Sequence, residues 1–315
     1  MHTTDIHALG PRKLIQVEIT EIPPLSPGEV SLLDFHSVVN VLNVLRCELL
    51  VIGDTLAGDM DLLKDSLKAC DDLLGAMHDH EATLHRARRL GEFEQCIQAE
   101  IAAKAAEHST DPALLADSLA NMASVFSIMH LRASELLARA AEPARWERYE
   151  VTALTESLRQ VFVAIAQNSK GRFRVLSNAA LQTSSDYFID LNFETPTGYF
   201  VLPPVFLDVM RDLIANARKY TEPGGDIIAA LYQDDRGTHF VVKDTGRGIP
   251  EEELDTVVQF GKRASNVTNV RTLGGGFGLT KAFYNTKQFG GRFWIASALG
   301  KGTEVRFWLP PQRPA

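Results

Sequence analysis

From position 30 to position 52 the chain carries neither proline nor glycine, and Phe35, Val38, Leu42, Leu45, Leu49 and Ile52 recur at three- and four-residue steps. That spacing predicts a helix with one apolar face. Ser26-Pro27-Gly28-Glu29 reads as its start, with serine as N-cap, proline at the first helical position and glutamate at the third. Gly53, Asp54 and Gly58 predict an interruption or bend. Residues 59–107 are rich in Ala, Leu, Glu, Lys and Gln and read as helical by composition. Asp111-Pro112 predicts a further start, and a stripe of Leu115, Leu119, Met122, Val125, Phe126, Met129, Leu136 and Leu137 carries that helix to about residue 141, before Pro143.

After Trp146 the pattern changes. One more helix (151–167) precedes runs of β-branched and aromatic residues that predict strands at 187–193, 199–202, 227–232, 239–243, 292–296 and 304–309. A strongly helical segment, 204–220, lies among them, and another helix should begin near Gly278. Residues 14–19 alternate like a strand, but Pro11, Pro23, Pro24 and Pro27 bracket them. The expected organisation is an N-terminal arm (1–28), an α-helical bundle domain (29–145) and an α+β sandwich, a mixed sheet with helices on one face (146–315).

Composition is ordinary for a globular chain of 315 residues, with 45% hydrophobic and 23% charged positions. Charge changes the picture more. Residues 1–150 carry 13 Lys/Arg and 24 Asp/Glu, a net of −11, whereas 151–315 carry 19 and 16, a net of +3. The acidic half has no basic stripe to replace counterions on nucleic-acid phosphates. The C-terminal half is suited to a small polyanion. Cys47, Cys70 and Cys96 show no metal or disulfide spacing. With no uninterrupted run of about 18 apolar residues and no signal-peptide pattern, the expectation is a soluble, cytoplasmic protein without membrane insertion.

Four segments of the C-terminal half carry the candidate chemistry. Asp212-Leu213-Ile214-Ala215-Asn216-Ala217-Arg218-Lys219-Tyr220 lies on a predicted helix, and its asparagine is a weak oxygen ligand suited to Mg²⁺. Asp244-Thr245-Gly246-Arg247-Gly248 follows a strand, where a carboxylate can accept from an exocyclic amine beside a close-passing backbone. Gly274-Gly275-Gly276-Phe277-Gly278-Leu279 opens a helix and aims amides at phosphates. Gly300-Lys301-Gly302-Thr303 leads into the last strand. Neither a Walker A pattern nor a βαβ dinucleotide unit is present.

In this order the four segments resemble the nucleotide-binding boxes of the GHKL ATPase superfamily, and most closely the catalytic ATP-binding domain of bacterial sensor histidine kinases. The resemblance covers roughly residues 150–312. It implies ATP and Mg²⁺ as cofactors, with Asn216 on the metal and Asp244 on the adenine amine. Gly246 and Gly248 would line the base and Gly274, Gly276 and Gly278 the phosphates, with Lys219, Tyr220, Leu279 and Thr303 in the same boxes. Residues 261–273 resemble a mobile lid, whose Lys262, Arg263 and Arg271 face the phosphates, and Phe260 resembles its anchoring phenylalanine.

The same family places a phosphoacceptor histidine on an upstream helix. The match is His36, one turn into the first predicted helix, on a polar stripe with Asn40, Asn43 and Cys47. The resemblance implies a homodimer, a response-regulator receiver domain as phosphoryl acceptor, and a separate sensor protein. Asn40 fits the position that orients a dephosphorylating water, and Asp212, four residues before Asn216, fits one that orients the attacking imidazole or a water. Two departures stand out: Ser37 replaces the usual acidic neighbour of the histidine, and the helical region is longer than a hairpin needs. His130 is a rival phosphoacceptor. His78, His80 and His85 hint at a metal, but helix geometry puts His78 and His80 on different faces. The alternatives are a hydrolysing GHKL ATPase, with Asp212 activating water, a Ser/Thr kinase of the superfamily, and a scaffold with a decayed site.

Overall fold

The computed structural model describes residues 13–108, 112–143, 145–168, 174–176, 181–268 and 275–312; at 36, 37, 40, 112, 161 and 163–168 it describes the path of the helix and not the side chain. The chain divides into two compact units. One is helical and holds Pro24–Arg145; the other holds the first strand and most of the chain from Trp146 onward.

The helical unit is built on two long helices, α1 (Pro27–Ala57) and α5 (Pro112–Ala141), with α2 (Lys64–Ala76), α3 (His80–Arg88) and α4 (Leu90–Glu107) between them in the chain. The capping box at the start of α1 is formed: Ser26 Oγ accepts from the Glu29 amide at 3.3 Å, and the Glu29 carboxylate accepts from the Ser26 amide at 2.7 Å. Gly53 does not break α1. It lets the helix lie against the turn that follows, where an added Cβ would stand 2.7 Å from the Asp59 carbonyl. The helix stops at Gly58, which is left-handed at φ 67° and caps Asp54.

All six apolar residues of the α1 stripe are buried, against Met122, Val125, Phe126, Met129, Ala133 and Leu136 of α5 and Cys70, Leu73, Met77, Ile97 and Ile101 of the shorter helices. Leu119 departs from the expected α5 stripe and is exposed. The predicted N-cap Asp111 lies outside the described residues. At α2 no side chain of its own caps the N-terminus, and Glu100 of α4 does so instead, accepting from the amides of Asp65 and Ser66 at 3.2 and 2.7 Å. A carboxylate at a helix N-terminus satisfies two orphan donors and complements the dipole. By length and composition Ala113–Ala141 is apolar enough to cross a membrane, although no uninterrupted apolar run is present. Its inward residues belong to the bundle core.

The second unit is a mixed seven-stranded sheet. Its strands are β1 (Ile15–Ile19), β3 (Val175–Leu176), β4 (Tyr187–Glu194), β6 (Asp226–Asp234), β7 (Gly237–Asp244), β8 (Arg292–Ala298) and β9 (Gly302–Leu309), in the order β1-β8-β9-β7-β6-β4-β3. A small second sheet pairs β2 (Glu147–Glu150) with β5 (Tyr199–Leu202). Three helices, α6 (Val151–Asn168), α7 (Val205–Tyr220) and α8 (Gly278–Gln288), share one core with the sheet; it includes Phe206, Leu213, Leu231, Phe240, Phe293 and Phe307. Helices on one face of a mixed sheet are the α+β sandwich expected after the bundle.

The strand in the arm is not separate. β1 pairs antiparallel with β8, and Glu18 grips the Arg292 guanidinium through both oxygens at 2.8 and 2.6 Å. Along the chain the helical unit therefore interrupts the sheet unit, between β1 and β2.

Two substitutions separate the sources of helical stability. Leu45→Ala, at a fully buried site, should lower unfolding free energy by about 2–5 kcal/mol, and Glu100→Ala by about 1 kcal/mol. Urea unfolding followed by circular dichroism measures both, and equal losses would contradict the assignment.

Candidate functional site

The site grows from contacts between backbones. α7 ends at Tyr220, whose carbonyl accepts from the Arg247 amide at 3.1 Å. A Cβ on Gly246 would stand 2.4 Å from that same carbonyl. The loop after β7 is thus pressed onto the end of α7. From the other side, a Cβ on Gly302 would lie 1.9 Å from the Asp244 carbonyl, and one on Gly248, at φ 67°, 2.0 Å from the Ala298 carbonyl. The three glycines are required by the protein's own packing.

Asp244 is buried where these segments meet. Its Oδ1 accepts from the amides of Gly246 at 2.8 Å and Thr303 at 3.1 Å, which fixes the plane of the carboxylate. Ser297 braces the same turn: its hydroxyl donates to the Gly302 carbonyl at 2.7 Å and accepts from the Ile249 amide at 2.9 Å. Thr303 Oγ1 is 3.0 Å from Ser297 Oγ. Asn266 donates to the Gly248 carbonyl at 3.0 Å.

The other half of the site is the start of α8. A Cβ on Gly278 would stand 2.7 Å from Asn216 Nδ2, so the glycine lets the asparagine lie against the helix N-terminus. Gly276, at φ 82°, packs on the carbonyl of Lys262. Leu279 packs on the sheet core, and Phe277 stacks on Phe260 with centroids 4.6 Å apart. Asn216's carbonyl oxygen is a hard donor of the kind Mg²⁺ takes, in a cradle that any side chain at 278 would fill. At the end of α7, Lys219 is crowded. Burial, then the charges of Arg263 and Arg218, push its ammonium down to about 8. Cations forced together against burial mark a place for an anion.

Gly274 and Arg271 lie outside the described residues. Of the expected lid, residues 261–268 are described, and Ala264 and Val267 are buried in the core; this first part is packed and not loose. Asp212 lies one turn before Asn216, and its Oδ2 accepts from Lys281 Nζ at 3.1 Å. His36 and Asn40 lie one turn apart on α1, with side chains outside what is described. His130 Nε2 is 2.7 Å from Glu94 Oε2. Among the described residues no group of three or more His, Cys, Asp or Glu is placed to hold a metal.

Sequence reasoning missed Ser297, Asn266 and Lys281. The first two have no motif. Lys281 lies on a helix whose buried face also carries Thr280, Asn285 and Thr286, so it does not stand out there.

Residues 203–313 match the family of histidine kinase-, DNA gyrase B- and HSP90-like ATPases. This segment is similar to ATPase domains of that family, and the match implies ATP binding. The adaptive-response sensory kinase SasA of Synechococcus elongatus is 35% identical over 125 residues, 39% of this chain and 32% of SasA. The sensor histidine kinase WalK of Bacillus subtilis is 32% identical over 104 residues, 32% of this chain and 17% of WalK. Among solved structures, the mycobacterial sensor histidine kinase MprB is 20% identical, covering 54% of this chain and all of that chain, with a TM-score of 0.39. The chain thus resembles sensor histidine kinases, and it spans about a third or less of the length of these two curated relatives.

Two tests follow from the geometry. Gly248→Ala puts a Cβ into a carbonyl at a left-handed position, so ATP binding should be lost and stability should fall by at least about 1–3 kcal/mol; an unchanged melting curve would refute the packing. A lysine attracts phosphate only when protonated, and Lys219 is a candidate phosphate contact. ATP affinity should therefore decline as pH rises through about 8, with proton uptake on binding above that pH. Calorimetry in two buffers of different ionisation enthalpy reads this, and Lys219→Met should remove it.

Proposed function

We propose that this chain is a two-component histidine kinase, which phosphorylates His36 from ATP and passes the phosphoryl group to an aspartate of a response-regulator receiver domain. One observation carries the reading: a GHKL nucleotide site, with Asp244 gripped by two loop amides and Asn216 seated on Gly278, shares a chain with a helical unit whose first long helix bears His36.

Each residue has a task. The Asp244 carboxylate accepts from the adenine amine, with Gly246 and Gly248 holding the loop that flanks the base and Thr303 fixing the carboxylate. The amides of Gly274, Gly276 and Gly278, with Leu279 fixing the helix behind them, receive the phosphates. Lys219, stacked beside Tyr220, and Arg263 supply positive charge, joined by Lys262 and Arg271. Asn216 would hold Mg²⁺, which would supply charge neutralisation to the phosphates when bound. The neutral His36 imidazole attacks the γ-phosphorus, the N–P bond forms, the bridging P–O bond breaks, and ADP leaves with the electron pair. Asn40 positions the water that later removes phosphate from the acceptor aspartate. The acidic helical unit completes itself as a homodimer and receives a separate sensor protein, and the kinase works in the cytoplasm, where ATP and receiver domains meet.

Incubation with γ-labelled ATP tests this. Label should attach to the protein, be lost in acid, and be absent from His36→Gln and Asn216→Ala. Acid-stable label would point to Ser37 or another hydroxyl, and label persisting in His36→Gln would overturn the assignment. Phosphate release without labelled protein would favour a hydrolysing ATPase.

A further inference from the structure

Lys281 is fully buried, and burying an ammonium is costly unless it is paired. Its Nζ donates to Asp212 Oδ2 at 3.1 Å and stands 4.0 Å from Asp208 Oδ2. Asp208 is itself buried and faces Arg211 Nη1 at 3.4 Å. The backbone at Lys281 is held as well, because Asn285 Nδ2 donates to its carbonyl at 2.9 Å. Replacing such a pair with well-packed apolar residues is often neutral or stabilising. Stability alone therefore gives little reason for a lysine on this inward face.

Position gives a better one. Asn216 and Gly278 touch where α7 meets the start of α8. Asp212 lies four residues back along α7, and Lys281 three residues forward along α8, each about one helical turn or roughly 5 Å from that contact. The ion pair thus forms the floor under the phosphate end of the site. Asp212 keeps about a fifth of its side-chain surface exposed, at 19%. A carboxylate there is placed to take a proton from a water beside the γ-phosphate.

We infer that Lys281 is a positioning residue: it engages the Asp212 carboxylate, turns it away from water, and so keeps the γ-phosphoryl group for the histidine. The suppressed side reaction is balanced. A water oxygen bonds to the γ-phosphorus, the bridging P–O bond breaks, ADP leaves with its electron pair, and the water's proton passes to Asp212. The inference rests on the kinase reading for its competing acceptor, whereas the effect on hydrolysis stands without it.

The test measures inorganic phosphate release and phosphoprotein formation together in the full chain with Mg·ATP. Lys281→Met should raise the ratio of phosphate to phosphoprotein by at least about tenfold, with KM for ATP within roughly twofold. Adding Asp212→Asn to that variant should return the ratio to the starting value, a rescue that a merely structural role would not produce. An unchanged ratio in folded Lys281→Met, or one that stays raised in the double variant, overturns the inference. Should Lys281→Met fail to fold, Lys281→Gln, which keeps a polar head without the charge, decides by the same ratio: a raised ratio supports the pairing, and an unchanged one refutes it. If no variant forms phosphohistidine, the kinase reading fails. Asp212-dependent phosphate release in Lys281→Met still supports the pair, and its absence removes it.

Discussion

The end of the sheet unit where β7, β9, α7 and α8 converge depends on backbone approaching backbone with no room for a Cβ. Gly302 lies on the Asp244 carbonyl, Gly248 on the Ala298 carbonyl, Gly246 on the Tyr220 carbonyl and Gly278 on the Asn216 side chain. These four approaches draw the end of β7, the turn before β9, the end of α7 and the start of α8 into one small region. Only then can one carboxylate oxygen of Asp244 reach both the Gly246 amide and the Thr303 amide, the latter 59 residues away in the chain. A side chain at any of the four positions would move a loop that other contacts also need. The glycine spacing is therefore a property of the scaffold first and of the ligand second.

Within that frame, charge does what packing cannot. Burial, and after it the charges of Arg263 and Arg218, lower the proton affinity of Lys219. Under the proposed reading, a polyphosphate would offset the positive charge gathered there. The split between a −11 half and a +3 half follows the same division of labour. Excess positive charge sits in the half with the glycine-rich segments, and the acidic excess lies in the half that contains the helical unit. Between them, Lys281 and Asp212 form a neutral pair inside the sheet unit, and contribute geometry without contributing net charge.

Much of the fold was legible from period alone. The α1 stripe from Phe35 to Ile52 is buried as its spacing requires, and the six longer strands lie where alternation and β-branched residues put them. What escaped notice was what period does not encode. β2, Glu-Arg-Tyr-Glu, has no β-branched residue, and β3 has two residues, too few to show alternation. Gly53 looked like a break because propensity speaks of the isolated helix, whereas here its missing Cβ makes room for the Asp59 carbonyl. Asp244, Asn216 and the glycines were legible because their spacing is a chemical pattern. Ser297 and Lys281 were not, since their partners lie 48 and 69 residues away, and only folding brings them together.

The interposition of the helical unit has a mechanical consequence. β1 is anchored to β8 by a full antiparallel register and by the bidentate grip of Glu18 on Arg292. β2 is anchored to β5, whose Val201 exchanges two hydrogen bonds with the Gln233 side chain of β6, at 2.7 and 2.8 Å. The chain thus leaves the sheet unit from one fixed strand and returns into another. The connections, residues 20–26 and 142–146, are short. Both ends of the interruption are thus fixed by contacts within the sheet unit itself, so the sheet closes across the insertion through hydrogen bonds and an ion pair that the helices do not supply.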